Sequence, residues 1–446
     1  MPQPSKRLRF RRSLPEALNR MLDTPVLLLE GPRSVGKSTL LRQIADSCGG
    51  RLVDLDDPAT RAAALANASL LLGGEETVCI DEYQKVPHVL DVIKSELNVR
   101  TSPGRFVLAG SARHDALPAT SQALTGRLSR LPVYPLSQGE LAGVHEDFLV
   151  RALRDPTVLV TPNVSTTSRD EYITRVCAGG FPLAIAATTN QGRQRWFDDY
   201  VKLTLERDVR ELSKLRQGQQ LANLFARIGG QTAQVLNVEG AARDVGLAPS
   251  TAENYTTLLE KVFLIYRLEA WGRTLSARSA ALPKVHVVDS GVAARLLRLT
   301  PAKLAARDPA ALTELDHLLE TFAVGELIKQ ASWTAEVAGL GHWRTRDGVE
   351  VDLVIERDDG GVVGFEIKTG DSVPGTELKG LRLLRDKLGS SFVAGFALYL
   401  GKRSYSPEDR LHVVPLDRVW AAPPRSRAEP SKAAIPTTAL TTATSP

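Results

Sequence analysis

The sequence predicts an α/β chain in which an open parallel sheet is followed by a helical middle and a second, smaller α/β unit. Three observations predict it. The apolar run Val26–Leu29 leads into a glycine loop and then a helical stretch, TLLRQIADSCGG. A second apolar run, Thr77–Ile80, ends in the carboxylates Asp81 and Glu82. Far downstream, HWRTRDGVEVDLVIERDDGGVVGFEIKTG reads as strand, strand, tight turn and strand. Short, wholly apolar strands belong to parallel sheets buried on both faces. At 446 residues the chain also exceeds what one hydrophobic core holds together.

The loop Gly31, Pro32, Arg33, Ser34, Val35, Gly36, Lys37, Ser38 fits G-x-x-x-x-G-K-[ST] at every fixed position, and Thr39 continues into the helix. Gly31 and Gly36 let the backbone curl so that successive N–H groups face one anion, and the helix N-terminus adds its positive end. Lys37 is long enough to reach β- and γ-phosphates, and the Ser38 hydroxyl suits Mg²⁺. Glycine-rich strand–helix turns also occur without a ligand. With every fixed position filled between a strand and a helix, residues 31–39 are expected to bind ATP.

Arg51–Leu55 reads as the next strand, followed by an acidic turn and a helix. The strand ending in Asp81-Glu82 has the form of a Walker B element. Asp81 is expected at Mg²⁺ and Glu82 at the attacking water. Arg105–Gly110 is a further strand; Ser111 after it is expected to sense the γ-phosphate, with a helix N-cap as the rival role. Arg127 and Arg130 are candidates for a cationic finger on the nucleotide, against a plain surface role.

Composition narrows the class. The chain is 43% hydrophobic and 24% charged, ordinary for a globular protein. Its longest apolar runs are about half a membrane span, so no membrane partner is expected. Cys48, Cys79 and Cys177 are isolated, which points to free thiols and a cytoplasmic setting. The net charge of +5 is compatible with nucleic acid without arguing for it. The basic cluster Lys6, Arg7, Arg9, Arg11, Arg12 lacks the apolar segment of a secretion signal and reads as a solvated or phosphate-contacting arm.

GPRSVGKSTLL, LVDLDDP, VCIDEYQKVP, LAGSAR and LTGRLSRLPVYPLSQGEL, in this order, resemble a prokaryotic family of AAA-type ATPases whose ATPase is followed by a C-terminal domain of unknown function. The resemblance covers residues 10–420 and implies ATP binding and hydrolysis.

Residues 141–170 read as an irregular connector, and Arg195–Val209 as an amphipathic helix. From Leu221 the order helix, helix, turn, helix, β-like segment suggests a winged helix, with Pro249 and Ser250 opening its third helix. The start of that helix carries Ser250, Thr251, Glu253 and Asn254, a poor face for reading DNA.

In the C-terminal stretch Glu366 and Lys368 are two apart on one strand and share a face. A three-residue turn at Asp358–Gly360 would set Asp352 directly opposite Glu366, with Cβ atoms about 5 Å apart. Two carboxylates that close ask for a cation, and oxygen ligands suit Mg²⁺ or Mn²⁺. An E-I-K strand after a polar hairpin is otherwise an ordinary edge pattern. The D…E-x-K pattern, after a helix bearing Glu320 and Glu326, resembles the PD-(D/E)xK nuclease superfamily, with Val351 in place of its proline. The resemblance implies Asp352, Glu366 and Glu326 as metal ligands and Lys368 as the catalytic lysine.

The expected organisation is a basic arm (1–14), a P-loop AAA-type ATPase domain (15–140), a connector and helical segment (141–215), a winged-helix-like unit (216–300), a PD-(D/E)xK nuclease-like α/β domain (301–420) and a disordered tail (421–446). Two functions stay open. One is a Mg²⁺-dependent ATPase coupled to binding or cutting nucleic acid, with DNA as partner. The other is a nucleotide-dependent switch or scaffold with a catalytically silent C-terminal domain, partnered by a protein or by further copies of itself.

Overall fold

The first sheet is built on VLLLE. Strand β1 (Val26–Glu30) is buried along its whole length, because both faces are covered. Its side chains alternate between two cores. Leu27 and Leu29, with Val107 and Ala109, pack on Leu40, Leu41 and Ile44. Val26 and Leu28, with Ile80 and Leu108, pack on Leu72, Leu90, Ile93 and Leu97. The computed structural model describes residues 11–111, 124–208, 218–274, 282–306 and 309–422.

The sheet has the order β2 (Arg51–Asp54), β3 (Val78–Asp81), β4 (Phe106–Gly110), β1, β5 (Leu128–Pro132), and every pair is parallel. Helices α1 (Ser13–Arg20), α2 (Lys37–Cys48), α3 (Pro58–Leu72) and α4 (Val89–Val99) accompany it. Helix α2 stops at Gly49, whose φ of 65° is the left-handed cap that glycine adopts without strain. The three central strands all end near the glycine loop, since Asp81 pairs with Ala109 and Glu30 with Gly110.

Residues 141–170 are only partly irregular. After α5 (Gln138–Ala142), helix α6 (Phe148–Arg154) buries Phe148, Leu149, Ala152 and Leu153. Phe148 meets Phe365 and Phe396 of the C-terminal unit at 6.4 and 5.7 Å between ring centroids. Aromatic pairs of this kind are worth about 1 kcal/mol each beyond area burial. The α7 helix (Arg169–Ala178), α8 (Pro182–Ala186) and α9 (Asn190–Leu203) follow. Between α7 and α8, Gly179 and Gly180 admit the Asp289 carboxylate: a Cβ on Gly179 would stand 2.0 Å from Oδ1, and Gly180 N–H donates to Oδ2 at 2.7 Å.

The middle unit runs helix Gly218–Gly229, β6 (Gln234–Val235), helices Val238–Asp244 and Pro249–Lys261, β7 (Ile265–Leu268) and β8 (Lys284–Val287). Its three strands are antiparallel in the order β6-β8-β7. Past β7 the backbone reaches the last sheet: Trp271 N–H donates to His342 O at 2.7 Å and His342 N–H to Glu269 O at 3.0 Å. The middle and C-terminal units are therefore joined edge to edge.

The last sheet holds β9 (Val337–Arg344), β10 (Glu350–Arg357), β11 (Val362–Lys368), β12 (Phe392–Tyr399), β13 (Tyr405–Glu408) and β14 (Leu411–Pro415), in the order β13-β14-β12-β11-β10-β9. It is mixed: β9, β10 and β11 are antiparallel, while β11, β12 and β14 are parallel. The 24-residue helix Pro309–Ser332 and the helix Lys379–Leu388 pack against it. Residues 1–10 of the basic arm and 423–446 of the tail lie outside the described residues.

Candidate functional site

The glycine loop closes on its own lysine. Lys37 Nζ donates to Gly31 O at 2.8 Å and to Pro32 O at 2.6 Å. Gly36 sits at φ 97° and Ser34 at φ 62°, the left-handed turns that fold the loop back over the start of α2. Gly31 has no room for a side chain, because a Cβ would stand 2.1 Å from Val133 O. The Ser38 hydroxyl donates to the Asp81 carboxylate, so two oxygen donors converge at the mouth of the loop. Burial raises the Asp81 pKa, and that hydrogen bond opposes the rise.

Glu82 follows in a left-handed conformation, φ 52°, which costs a non-glycine residue on the order of 1 kcal/mol. Its carboxylate accepts from Gln84 Nε2 at 2.6 Å, and the same nitrogen donates to Ser111 Oγ at 3.2 Å. Burial raises the Glu82 pKa, while the Arg33 and Lys37 charges pull it down. Lys37, Ser38, Asp81, Glu82 and Ser111 are thus brought to one place. A cavity of about 410 Å³ there is lined by Arg11, Arg33, Ser34, Val35, Gly36, Lys37, Ser38, Thr39, Glu82, Leu136, Pro182 and Leu183.

Arg127 is not among them. Its backbone carbonyl accepts from Val26 N–H and its guanidinium donates to Asn98 Oδ1 at 2.8 Å. Val26 begins β1 and the loop follows its end, so Arg127 stands at the opposite edge of the sheet. Within its own chain it does not reach the nucleotide cavity. Arg130 is exposed.

Arg11, expected on a solvated arm, is buried against the loop. It donates to Val35 O and pairs with Glu140 at 3.3 Å. Glu140 forms a capping box with Ser137, whose hydroxyl also donates to the buried Glu146. Burial pushes Glu146 up to about 7, with Glu326 and Glu140 adding to it and the Ser137 bond opposing.

The hairpin of the C-terminal sheet closes as its sequence predicts. Arg357 N–H donates to Gly361 O across the three residues Asp358–Gly360, and Leu353 pairs with Phe365. Continued one step, that register sets Asp352 beside Glu366. Each carboxylate is already bonded within the chain, however. Asp352 Oδ2 accepts from Ile367 N–H at 2.9 Å, and Oδ1 accepts from Lys284 Nζ at 3.1 Å. Glu366 is turned under the Lys379–Leu388 helix: a Cβ on Gly380 would stand 2.3 Å from its Oε1, and Leu381 N–H donates to it. Lys368 Nζ lies 3.0 Å from Glu366 Oε2. Burial pushes Glu366 up to about 7, against the pull of Lys368.

Glu326 is elsewhere. Its carboxylate accepts from Gln138 N–H at 2.7 Å and from Lys329 Nζ at 2.6 Å, and Lys329 also donates to Leu136 O at 3.2 Å. The long helix meets the carboxylates through Glu320 instead, 2.7 Å from Lys284 Nζ. A polar cavity of about 580 Å³ opens here, lined in part by Lys284, Glu320, Arg344, Glu350, Asp352 and Lys368. Among the described residues, no group of three or more His, Cys, Asp or Glu side chains has the arrangement of a metal site.

Parallel sheet, P-loop and Asp81 beside Ser38 define the N-terminal unit as a P-loop nucleotide-binding domain. A family model described as "AAA domain" matches residues 23–142, so this unit is an AAA-type ATPase domain. Two domains of unknown function match residues 169–303 (DUF8612) and 315–419 (DUF4143). The uncharacterized proteins Rv2008c of Mycobacterium tuberculosis and Mb2031c of Mycobacterium bovis are each 28% identical over 413 residues, covering 92% of this chain and 83% of theirs. Among solved structures, the Walker-type ATPase PABY2304 of Pyrococcus abyssi aligns at TM-score 0.39 and 16% identity, over 66% of this chain and 95% of that one. AMPPCP-bound DnaA of Aquifex aeolicus aligns at 0.28 and 14%, over 56% and 86%. Among the described residues no helix is long and apolar enough to cross a membrane.

Proposed function

We propose that the chain is a Mg²⁺-dependent ATPase acting as a nucleotide-governed switch, with the C-terminal domain as its output. The observation that carries this is the helix Pro309–Ser332. Through Glu326 and Lys329 it is bonded to the backbone at Leu136 and Gln138, and Leu136 lines the nucleotide cavity. Through Glu320 the same helix enters the polar cavity of the last sheet. A rigid helix that touches both sites is suited to carry a change at one to the other.

At the first site, Lys37 exchanges the Gly31 and Pro32 carbonyls for the β- and γ-phosphates of ATP. Ser38 and Asp81 fit Mg²⁺, since they are two adjacent oxygen donors at the mouth of the loop. The ion would neutralise charge on the phosphate oxygens. Glu82, released by Gln84, accepts a proton from the attacking water, and Ser111 is linked to the same glutamine. The free cysteines Cys48, Cys79 and Cys177 support a reducing, cytoplasmic setting.

A second reading, ATP-driven processing of nucleic acid by a nuclease-like domain, is favoured by the Asp352–Glu366 register with Lys368 alongside. The middle unit's element order supports a winged helix. Its third helix nevertheless exposes Ser250, Glu253 and Asn254, with Glu253 paired to Arg267, a face with little to offer phosphates. ATP turnover of the full chain, with and without DNA and with Lys37→Ala as the blank, separates the two. The switch predicts turnover indifferent to DNA; stimulation by DNA would favour processing.

A further inference from the structure

Of the carboxylates expected to hold a divalent cation, Asp352 already holds a cation of the chain's own. Lys284 comes from β8 of the middle unit, and its side chain is 1% exposed. Its Nζ lies 2.7 Å from Glu320, 3.1 Å from Asp352 and 3.7 Å from Glu350. An ammonium has three protons to donate, and three carboxylates surround this one. The two oxygens of Asp352 are taken by Lys284 and by Ile367 N–H. Glu366 is turned to Lys368 and Leu381. The residues present do not fit a metal ion.

We infer that Lys284 is the resident cation of this cavity, supplied in cis by the neighbouring unit, and that the C-terminal domain as folded takes no divalent metal at Asp352. A stray surface pair would not support this. Lys284 is pinned at both ends of its strand's environment: β8 pairs with β6 and β7, and the chain beyond β7 is bonded to β9 of the same sheet that carries Asp352. Metal entry would require the Lys284 ammonium to leave Asp352 and Glu320. The inference does not depend on the ATPase reading, because it concerns a separate cavity and residues outside 23–142.

The test is Mn²⁺ titration of the nucleotide-free full chain, read by electron paramagnetic resonance. The parent is expected to show no bound Mn²⁺ that Asp352→Asn removes. Lys284→Gln, which removes the charge and keeps a polar side chain, is expected to gain one Mn²⁺ site at least about tenfold tighter than any Asp352-dependent binding by the parent. Adding Asp352→Asn to Lys284→Gln should abolish the gain. Should circular dichroism show Lys284→Gln unfolded, Lys284→Met with Glu320→Gln removes one charge of each sign and takes its place. Asp352-dependent Mn²⁺ binding by the parent, or no gain in the folded variant, would overturn the inference.

Discussion

The two sites of this chain are each built from a lysine and acidic side chains, yet they are poised in opposite ways. At the P-loop, Lys37 rests on the neutral carbonyls of Gly31 and Pro32, and Asp81 is held by a serine hydroxyl. The Lys37 charge also pulls down the Asp81 and Glu82 pKa values, and the loop that carries it opens on a cavity. In the C-terminal cavity Lys284 is spent on Asp352 and Glu320. Burial alone would depress the Lys284 pKa; the charges of Asp352, Glu320 and Glu350 outweigh it and raise the pKa. At about 3 Å and an effective dielectric of about 20, each pair is worth on the order of 5 kcal/mol, comparable with the cost of burying the ions. Asp352 and Glu320 are thus matched by a cation from within the chain.

Five variants break or sharpen that contrast. Lys37→Ala should weaken ATP binding at least about hundredfold by calorimetry while leaving the urea midpoint nearly unchanged. Equal ATP affinity would contradict the first site. Lys284→Ala should do the reverse, lowering stability by about 3–5 kcal/mol, since it strands buried carboxylates. Lys284→Met with Glu320→Gln should recover most of that loss in the same urea titration.

Glu146→Gln tests the buried acid behind α5 through pH. Its folded pKa of about 7 lies above the unfolded value near 4.5, so the folded state binds the extra proton. The stabilisation is full below the unfolded pKa and is lost as pH rises through about 7. Between those values the parent should lose on the order of 1–3 kcal/mol relative to the glutamine variant. Parallel stability profiles would count against it. The smallest effect is expected from Arg127→Ala, which should leave ATP affinity within about twofold by calorimetry, as its partner is Asn98 at the far edge of the sheet.

What the sequence made legible was local. The P-loop, the strand delivering Asp81 and the Asp358–Gly360 hairpin are each contained in one short stretch, where spacing alone fixes geometry. Pairings between distant stretches were not legible. Arg11 meets Glu140 across 129 positions, and Lys284 meets Asp352 across 68. Glu320 and Glu326 show why the helical carboxylate nearest Asp352 is not legible in sequence. Six residues apart, they point about 120° from one another. The helix is buried on nearly every side, so no apolar stripe tells which face meets β10. Strands β5 and β13 are not legible because LSRLP is a half-exposed and YSPE an exposed edge strand, each with a proline and no apolar alternation. Helix α6 was hidden by the Thr- and Pro-rich stretch that follows it.

The most direct test of the contrast is to count Mn²⁺ bound per chain with and without a non-hydrolysable ATP analogue. One Mn²⁺ that appears only with the analogue, and is lost in Asp81→Asn, is the predicted result. A Mn²⁺ that binds without nucleotide and is lost in Asp352→Asn would contradict the account.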